Sequence, residues 1–168
     1  MSRTWHRWLS RTVAGAAMLV AALLMAGQLG LLAGSPPDDL GVTDGRLKPP
    51  SLTENSVSSQ ARLYPEHPQG DYATIAPLMP RDGETAATAM KRLTVLLTEL
   101  PGIAVSVSDE HYIRAEARTP WLGFVDDMEF WFNQETGIIE LRSASRLGRK
   151  DFGVNRSRIE TVRAAFEG

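Results

Sequence analysis

An uncharged apolar stretch near the amino terminus constrains this chain more than any other feature. Residues 12–34 read TVAGAAMLVAALLMAGQLGLLAG, which is 23 residues without a charged side chain. As an α-helix the stretch would be about 34 Å long, enough to cross a hydrocarbon layer of about 30 Å. Core helices of soluble proteins rarely run this long without a charge. The stretch therefore predicts a transmembrane anchor, with the lipid bilayer as its partner.

The charges around this stretch predict its orientation. Three arginines precede it, and Asp38 and Asp39 follow it. In a bacterial inner membrane, the positive-inside rule leaves residues 1–34 as a cytoplasmic stub and anchor, with the carboxyl-terminal part in the periplasm or outside the cell. The alternative is a signal peptide cleaved near Ser35, after which the protein would be secreted.

The next 20 residues have the composition of a linker. Residues 35–54 contain four prolines and two glycines and show neither helical nor strand periodicity. Such a segment is typically extended. We therefore expect a folded domain over residues 55–168 that the linker holds away from the membrane.

Composition excludes several classes of function. The chain has no cysteine, which excludes disulfides, zinc–thiolate sites and cysteine nucleophiles. Its three histidines lie far apart in sequence, so we predict neither a metal site nor a cofactor. Beyond the three amino-terminal arginines the chain carries 15 basic and 20 acidic side chains, so nucleic acid is not an expected partner.

The pattern of the domain predicts an α+β fold. Strands are expected at residues 72–78, 103–107, 111–118, 124–132 and 138–146, and helices at 84–100 and 156–166, with Asp82 and Asn155 as their caps. Strands joined by short loops form an antiparallel sheet. We therefore predict about five antiparallel strands with two helices packed on one face, preceded by the transmembrane helix. The other face would be open to solvent or to a partner.

The alternation within the strands predicts their register. In the first hairpin, the apolar positions share a face only if the loop has an odd number of residues, which we expect at 108–110. In the second hairpin, Phe132 is expected to oppose Ile139, which places Glu129 opposite Arg142.

The outward face of the sheet would then carry alternating charges. Arg114, Glu129 and Arg142 lie on it together with Trp131. Opposite charges across a solvated sheet face are ordinary structural pairs. An exposed tryptophan among them can instead mark a contact surface for a protein partner.

The inward face places a carboxylate against the helices. Asp126 is expected there with Ser143 and Ser145, and a buried carboxylate requires a partner. We predict hydrogen bonds to Asp126 from Ser145 and from the start of the last helix, where Asn155, Arg156 and Arg158 stand. The structural interpretation is a latch that holds this helix on the sheet, and the functional one is a polar ligand pocket.

The densest run of polar residues is RSASRLGRKDFGVNRSRIE at 142–160. Between residues 146 and 163, six basic side chains oppose two acidic ones. A glycine-hinged loop before a helix start can bind an anion, so we predict a small anion or an anionic headgroup near Arg146 and Arg156. The alternative is a solvated basic face. The run has no Walker motif, so nucleotide hydrolysis has no support.

These residues resemble a known family. SSQ at 58–60, GFVDDMEF at 123–130 and the arginine run are similar to the family catalogued as domain of unknown function 1499, over about residues 55–167. The resemblance implies no reaction. Many members carry a cysteine just before SSQ, where Ser56 stands here, so a cysteine-dependent mechanism is not expected. The motif positions are Ser59, Gln60, Asp126, Glu129, Arg142, Ser143, Ser145, Arg146, Gly148, Asp151, Gly153, Asn155, Arg156 and Arg158.

Three functions stay open at this stage. The first is a membrane-anchored, non-catalytic binding or scaffold module with an anion site at the arginine loop. The second is an enzyme that uses Asp126 or Glu129 with the arginines as oxyanion stabilisers, although no histidine or nucleophile accompanies these carboxylates. The third is a protein–protein interaction module that uses the open sheet face.

Overall fold

The amino-terminal segment forms one long helix. In this computed structural model, residues 2–168 are described, and their side chains from Trp8 onward. Helix α1 spans Ser2–Gln28, and its part Trp8–Gln28 is long and apolar enough to cross a membrane or to serve as a signal sequence. These 21 residues measure about 31 Å along the helix axis, close to the thickness of a bilayer core.

The rest of the chain forms an α+β domain around a five-stranded antiparallel sheet, which confirms the predicted fold class. The strands are β1 Ser56–Ser58, β2 Ile103–Ser108, β3 Tyr112–Arg118, β4 Val125–Asn133 and β5 Ile138–Ser145, in the order β1-β5-β4-β3-β2. The helices are the single turn α2 Gly70–Ala73, α3 Ala86–Glu99 and α4 Val154–Glu167. A 3₁₀ turn lies at Ala61–Leu63.

The core lies between the sheet and helices α3 and α4. On α3, Met90, Leu93 and Leu97 recur at helical spacing and are buried. On α4, Ile159 and Phe166 face the same layer. This stripe spacing is why both helices pack on one face of the sheet, as the sequence predicts.

The cap of α3 differs from the prediction. The hydroxyl of Thr85, not the Asp82 side chain, accepts the hydrogen bond from the Thr88 amide. Threonine is a favourable cap residue in its own right, and it stands directly before the first helical residue.

The register of the second hairpin is the predicted one. Phe132 pairs with Ile139, and Glu129 pairs with Arg142. The pleat of a strand sends successive side chains to opposite faces, so this register also fixes which face each polar residue occupies. Asp126 therefore faces the helices, and Asp127 faces away from them.

The first hairpin follows the prediction only in part. The loop has an odd number of residues, as predicted, but it lies at 109–111 and not at 108–110, and Val105 pairs with Ala115. A bulge between Val105 and Val107 then shifts the pairing, so Val107 lies opposite Arg114 instead of Ile113. Val107 is consequently exposed, because the extra residue turns its side chain away from the core.

The predicted strand at 72–78 is wrong. This segment contains the end of α2 and two isolated bridges, Ser58 with Thr74 and Leu78 with Ile139. Arginines from α4 take four of its carbonyl groups, whereas the Leu78 carbonyl accepts from the Ile139 amide of β5. Arg156 donates to the carbonyls of Tyr72 and Thr74, and Arg163 to those of Ala76 and Pro77. The fifth strand is β1, which pairs with β5.

The sheet face predicted to be open is covered. Residues 35–54, called the strap below, fold over it. Leu47 is buried, its amide donates to the side chain of Gln60 at 2.8 Å, and Gln60 donates in turn to the carbonyl of Gly45 at 3.1 Å. The segment is thus not an extended spacer over its whole length, because the SSQ motif holds it against the sheet.

Candidate functional site

A buried ion pair lies beneath the strap. The residues Glu129 and Arg142 are 0% and 3% exposed. Glu129 Oε1 accepts from the Gly41 amide at 2.7 Å and from the Tyr112 hydroxyl at 2.8 Å, while Arg142 Nε donates to the Pro49 carbonyl at 3.3 Å. Two strap residues therefore take part in enclosing this pair.

The pair is only partly satisfied. Arg142 Nη1 lies 3.5 Å from Glu129 Oε2, and among the described side chains both atoms are buried without a hydrogen-bond partner. Burial lowers the pKa of Arg142, opposed by the charge of Glu129. The pKa of Tyr112 is raised by burial and by that same carboxylate. Two charged groups have thus been taken out of water without full compensation.

Arg146 lies on the same face in a stronger pair. Its Nε and Nη2 donate to the two carboxylate oxygens of Asp127 at 2.9 and 2.8 Å, and Nη2 also reaches Glu116 at 2.5 Å. Arg114 Nη2 contributes a longer contact to Asp127, 3.4 Å. The bonds to Asp127 raise the pKa of Arg146, so its charge is permanent.

A cavity of about 210 Å³ opens between the strap and these side chains. Lys48, Arg142 and Arg146 are its cationic lining residues, and Asp127 also lines it. Lys48 pairs with Asp39 at 2.5 Å, and this hydrogen bond lowers the pKa of Asp39. The cavity therefore joins a half-buried lysine at its rim to a buried arginine whose Nη1 has no hydrogen-bond partner among the described residues.

On the helix side of the sheet, Asn155 is the centre of a different polar cluster. Its Oδ1 accepts from the Ser143 hydroxyl at 2.5 Å and from Arg158 at 3.2 Å. Its Nδ2 donates to the Asn55 carbonyl at 3.2 Å, to Ser145 at 3.0 Å and to Asp151 at 2.9 Å. Asn155 is fully buried, and both polar atoms of its side chain are used.

Asn155 was predicted to cap the last helix, but the cap residue is Gly153. Helix α4 begins at Val154, two residues before its predicted start and directly after Gly153 at φ +81°, so Asn155 lies in the first turn. Asp151 instead accepts from the amides of Gly153 and Asn155, both at 3.0 Å. The carboxylate of Asp151 thus occupies N–H groups that an external anion at this helix start would use.

Asp151 also binds the Tyr72 hydroxyl at 2.6 Å. Burial opposes its ionisation, but the hydrogen bonds from Tyr72, Gly153 and Asn155 outweigh burial and hold the pKa of Asp151 below its usual value. The pKa of Tyr72 rises to about 12, through burial and the hydrogen bond to Asp151.

Asp126 meets the start of α4, as predicted, but through a different set of atoms. Its carboxylate lies 2.7 Å from Arg158 Nη2, and Asp126 is buried. The hydroxyl of Ser145 was expected to bind Asp126, but it accepts from Asn155. We call Asp126, Ser143, Asp151, Asn155 and Arg158 the latch, because they join β4 and β5 to α4.

The predicted site residues therefore separate into two groups. Arg146 lies on the strap side, whereas Arg156 lies on the helix side and donates to main-chain carbonyls. Glu160, one turn after Arg156 on the same helix, pairs with Arg163. A ligand held jointly by Arg146 and Arg156 stays a prediction, and the sheet stands between them.

Trp131, the expected contact residue of the open face, is half-buried and lies beside the strap residues Asp44 and Gly45. It lines a cleft of about 530 Å³ with Asp44, Gly45 and His111. His111 bonds the Gln134 side chain at 2.7 Å. Within the part of the chain that the structure describes, no group of three histidine or acidic side chains is arranged to hold a metal ion.

Sequence reasoning missed Lys48 and the strap residues Gly41 and Pro49, because they stand in a segment with linker composition. One signal was present. Leu40 and Leu47 are apolar residues within that segment, and an exposed linker has no use for them.

The comparisons with known proteins identify a family and no activity. The family model described as "Protein of unknown function (DUF1499)" matches residues 46–166, which include the second part of the strap. The chain belongs to this family, as its motifs predict. Neither the curated proteins nor the solved structures contain a match.

Proposed function

We propose that this DUF1499 protein is a single-pass, membrane-anchored binding module of the bacterial cell envelope, without catalytic activity, which holds a small oxyanion between the strap and the sheet. The observation that carries the proposal is Arg142, which is buried, lines the 210 Å³ cavity and keeps Nη1, 3.5 Å from Glu129 Oε2, without a hydrogen-bond acceptor among the described residues. A buried donor left unpaired costs about 1–3 kcal/mol, and a ligand oxygen would recover that cost on binding.

The chemistry of the lining favours a phosphate or carboxylate group. A guanidinium is a planar donor that matches such groups, and an ammonium adds a flexible point charge. Lys48 at the rim and Arg146 beside the floor supply further positive charge. Asp127 and Glu129 balance much of this charge, which favours a small oxyanion held by hydrogen bonds over a highly charged one.

Contacts of α1 support an anchor that stays attached. The side chain of Gln28 donates to the carbonyls of Pro120 and Trp121, both at 3.3 Å. A signal peptide that is cleaved has no use for such contacts. With arginines before the span, the domain would lie in the periplasm or outside the cell. Intact-mass measurement of protein extracted from membranes should retain residues 1–34, and a mature chain beginning near Ser35 would exclude this topology.

The other two functions have less support. Asp126 pairs with Arg158, and Glu129 pairs with Arg142 and accepts from Gly41 and Tyr112, so both carboxylates are held in buried ion pairs. The strap covers the sheet face that a partner protein would bind. These residues thus adopt neither a geometry for proton transfer nor a flat interface.

The test is calorimetric titration of the full-length protein in detergent with three probes: inorganic phosphate, glycerol 3-phosphate and a short-chain phosphatidylglycerol. We expect at least one to bind. Binding by the free anions alone identifies a soluble ligand, and binding by the lipid alone identifies a headgroup. The absence of heat with all three, at concentrations into the millimolar range, would contradict the proposal.

Two lysine variants provide the control. Lys48→Met removes the charge at the rim of the cavity, and Lys150→Met removes an exposed lysine whose partner is Glu54. We expect Lys48→Met to weaken binding about five- to tenfold, which corresponds to about 1–1.4 kcal/mol. Lys150→Met should leave the affinity unchanged, and equal losses in both variants would indicate nonspecific charge attraction.

A further inference from the structure

Two loops meet at the end of the sheet nearest to α1. The first, residues 119–124, joins β3 to β4, and the second, residues 146–153, joins β5 to α4. They carry large apolar side chains in exposed positions. Trp121 is 73% exposed, Phe152 is 91% exposed and Leu147 is also exposed, as is Val154, the first residue of α4.

The contacts of the first loop fix its depth relative to the span. A Cβ atom on Gly27 would lie 2.5 Å from the carbonyl oxygen of Leu122, and one on Gly123 would lie 2.5 Å from that of Gly27. The two backbones thus touch, and only glycine permits the approach. Gly27 belongs to the apolar span that ends at Gln28. The loop therefore lies at the level of the last helical turn, where the hydrocarbon gives way to the headgroups.

The second loop lies beside the chain that leaves the span. A Cβ atom on Gly34 would lie 2.9 Å from Arg146 Cβ and 3.0 Å from Leu147 Cγ. Both loops also line one cavity of about 250 Å³, with Phe124 and Leu147 among its walls. The two loops consequently form one surface around the exit of the anchor.

Phe152 has the least favourable position for a residue exposed to water. It adopts a left-handed backbone conformation, φ +53°, which is unfavourable for a bulky side chain. That conformation holds an aromatic ring almost entirely in solvent. Exposed Arg149 and Lys150 precede it. An aromatic ring beside basic residues is typical of segments that enter the interfacial region and contact lipid phosphates.

We infer that this surface binds the bilayer itself, with Trp121 and Phe152 inserted among the lipid headgroups. The occupant is the lipid around the protein's own anchor, because the glycine contacts hold the first loop at that depth. The domain thus lies on the membrane and is not held away from it. The inference concerns a different surface from the Arg142 cavity and does not require that cavity to bind an anion.

The absence of cysteine makes a direct test possible. Full-length Trp121→Cys, Phe152→Cys and Glu135→Cys proteins are labelled with an environment-sensitive fluorophore and reconstituted in liposomes. Glu135 is the matched control, since it is exposed in the turn between β4 and β5, at the opposite end of the sheet. We expect blue-shifted emission at 121 and 152, and quenching there by lipids that carry a nitroxide near the headgroup. Emission at 135 should stay that of a probe in water.

Two results would overturn the inference. In the first, the probes at 121 and 152 behave like the probe at 135, which would mean that the domain is tethered near the membrane without entering it. In the second, the blue shift disappears when the protein is diluted in excess lipid, which would identify a second copy of the chain as the partner. A shift that persists on dilution supports the bilayer.

Discussion

The two faces of the sheet receive polar side chains from the same strands, but they differ in how completely those side chains are hydrogen-bonded. On the helix face, Asn155 uses both polar atoms of its side chain, and Asp126 and Asp151 each have a partner. On the strap face, three buried side-chain atoms of the described residues have no hydrogen-bond partner, and they belong to Arg114, Glu129 and Arg142.

Both faces bury polar side chains, so burial alone does not distinguish them, whereas the number of unpaired polar atoms does. A closed network contributes to stability and specifies how α4 meets the sheet. A network with unmet donors next to a cavity is less stable than it could be, and a ligand can supply the missing acceptor. We therefore interpret the latch as structural and propose the strap face as the ligand-binding face.

The largest expected effect is on the strap face, from breaking the buried ion pair. Arg142→Met leaves Glu129 charged and uncompensated, which should cost about 3–5 kcal/mol of unfolding free energy. Adding Glu129→Gln should restore most of this loss, because the amide is neutral and its oxygen can still accept from Gly41. Urea unfolding of the two variants measures the difference. Equal stability of the single and the double variant would show that the pair is not electrostatically coupled.

A substitution on the helix face should cost somewhat less unfolding free energy, and no single second substitution is expected to restore it. Asn155→Ala leaves the buried Ser143 hydroxyl without its acceptor and removes one of the hydrogen bonds to Asp151, and it should cost about 3 kcal/mol. Ser157→Ala, at an exposed position of the same helix, should change stability by less than about 0.5 kcal/mol. The same unfolding experiment compares both variants. Phosphate binding by Asn155→Ala, measured where it is folded, should equal that of the natural protein, and its loss would break the division between the two faces.

Much of this division could be predicted from the sequence, since strand parity alone assigns Asp126 and Asp127 to opposite faces. That the strap covers the outward face could not be predicted. The strap has no periodicity, and Gln60, which binds it, stands in a motif whose letters do not reveal its partner. The role of Asp151 at the start of α4 was likewise missed, because the position of its carboxylate depends on Gly153 turning the chain.

The latch should also respond to acid. The pKa of Asp151 is lowered in the folded protein, so its contribution is present above the unfolded pKa of about 4 and is lost as the pH falls through the lower, folded value. Asp151→Asn should therefore be less stable than the natural protein at pH 7 by about 1–2 kcal/mol, with the gap closing below about pH 4. Thermal unfolding of both proteins between pH 3 and pH 7 measures this difference in stability. A gap that widens in acid would contradict the stated sign.

The smallest effect should come from the rim of the cavity. Lys48 and Asp39 form a pair with considerable exposure, and such pairs contribute about 0–1 kcal/mol. Lys48→Met should thus unfold at nearly the same urea concentration as the natural protein. A large loss of stability would mean that weaker binding by this variant reports unfolding of the strap and not the loss of a ligand contact.

The most direct test of the central claim is to observe the arginine side chains while phosphate is added. The Nε–Hε signals of Arg142 and Arg158, each assigned by an Arg→Lys variant, report the strap face and the helix face in the same NMR spectrum. We predict that phosphate shifts the signal of Arg142 in a saturable manner and leaves that of Arg158 in place. A saturable shift at Arg158 with no change at Arg142 would contradict the account and move the ligand to the latch.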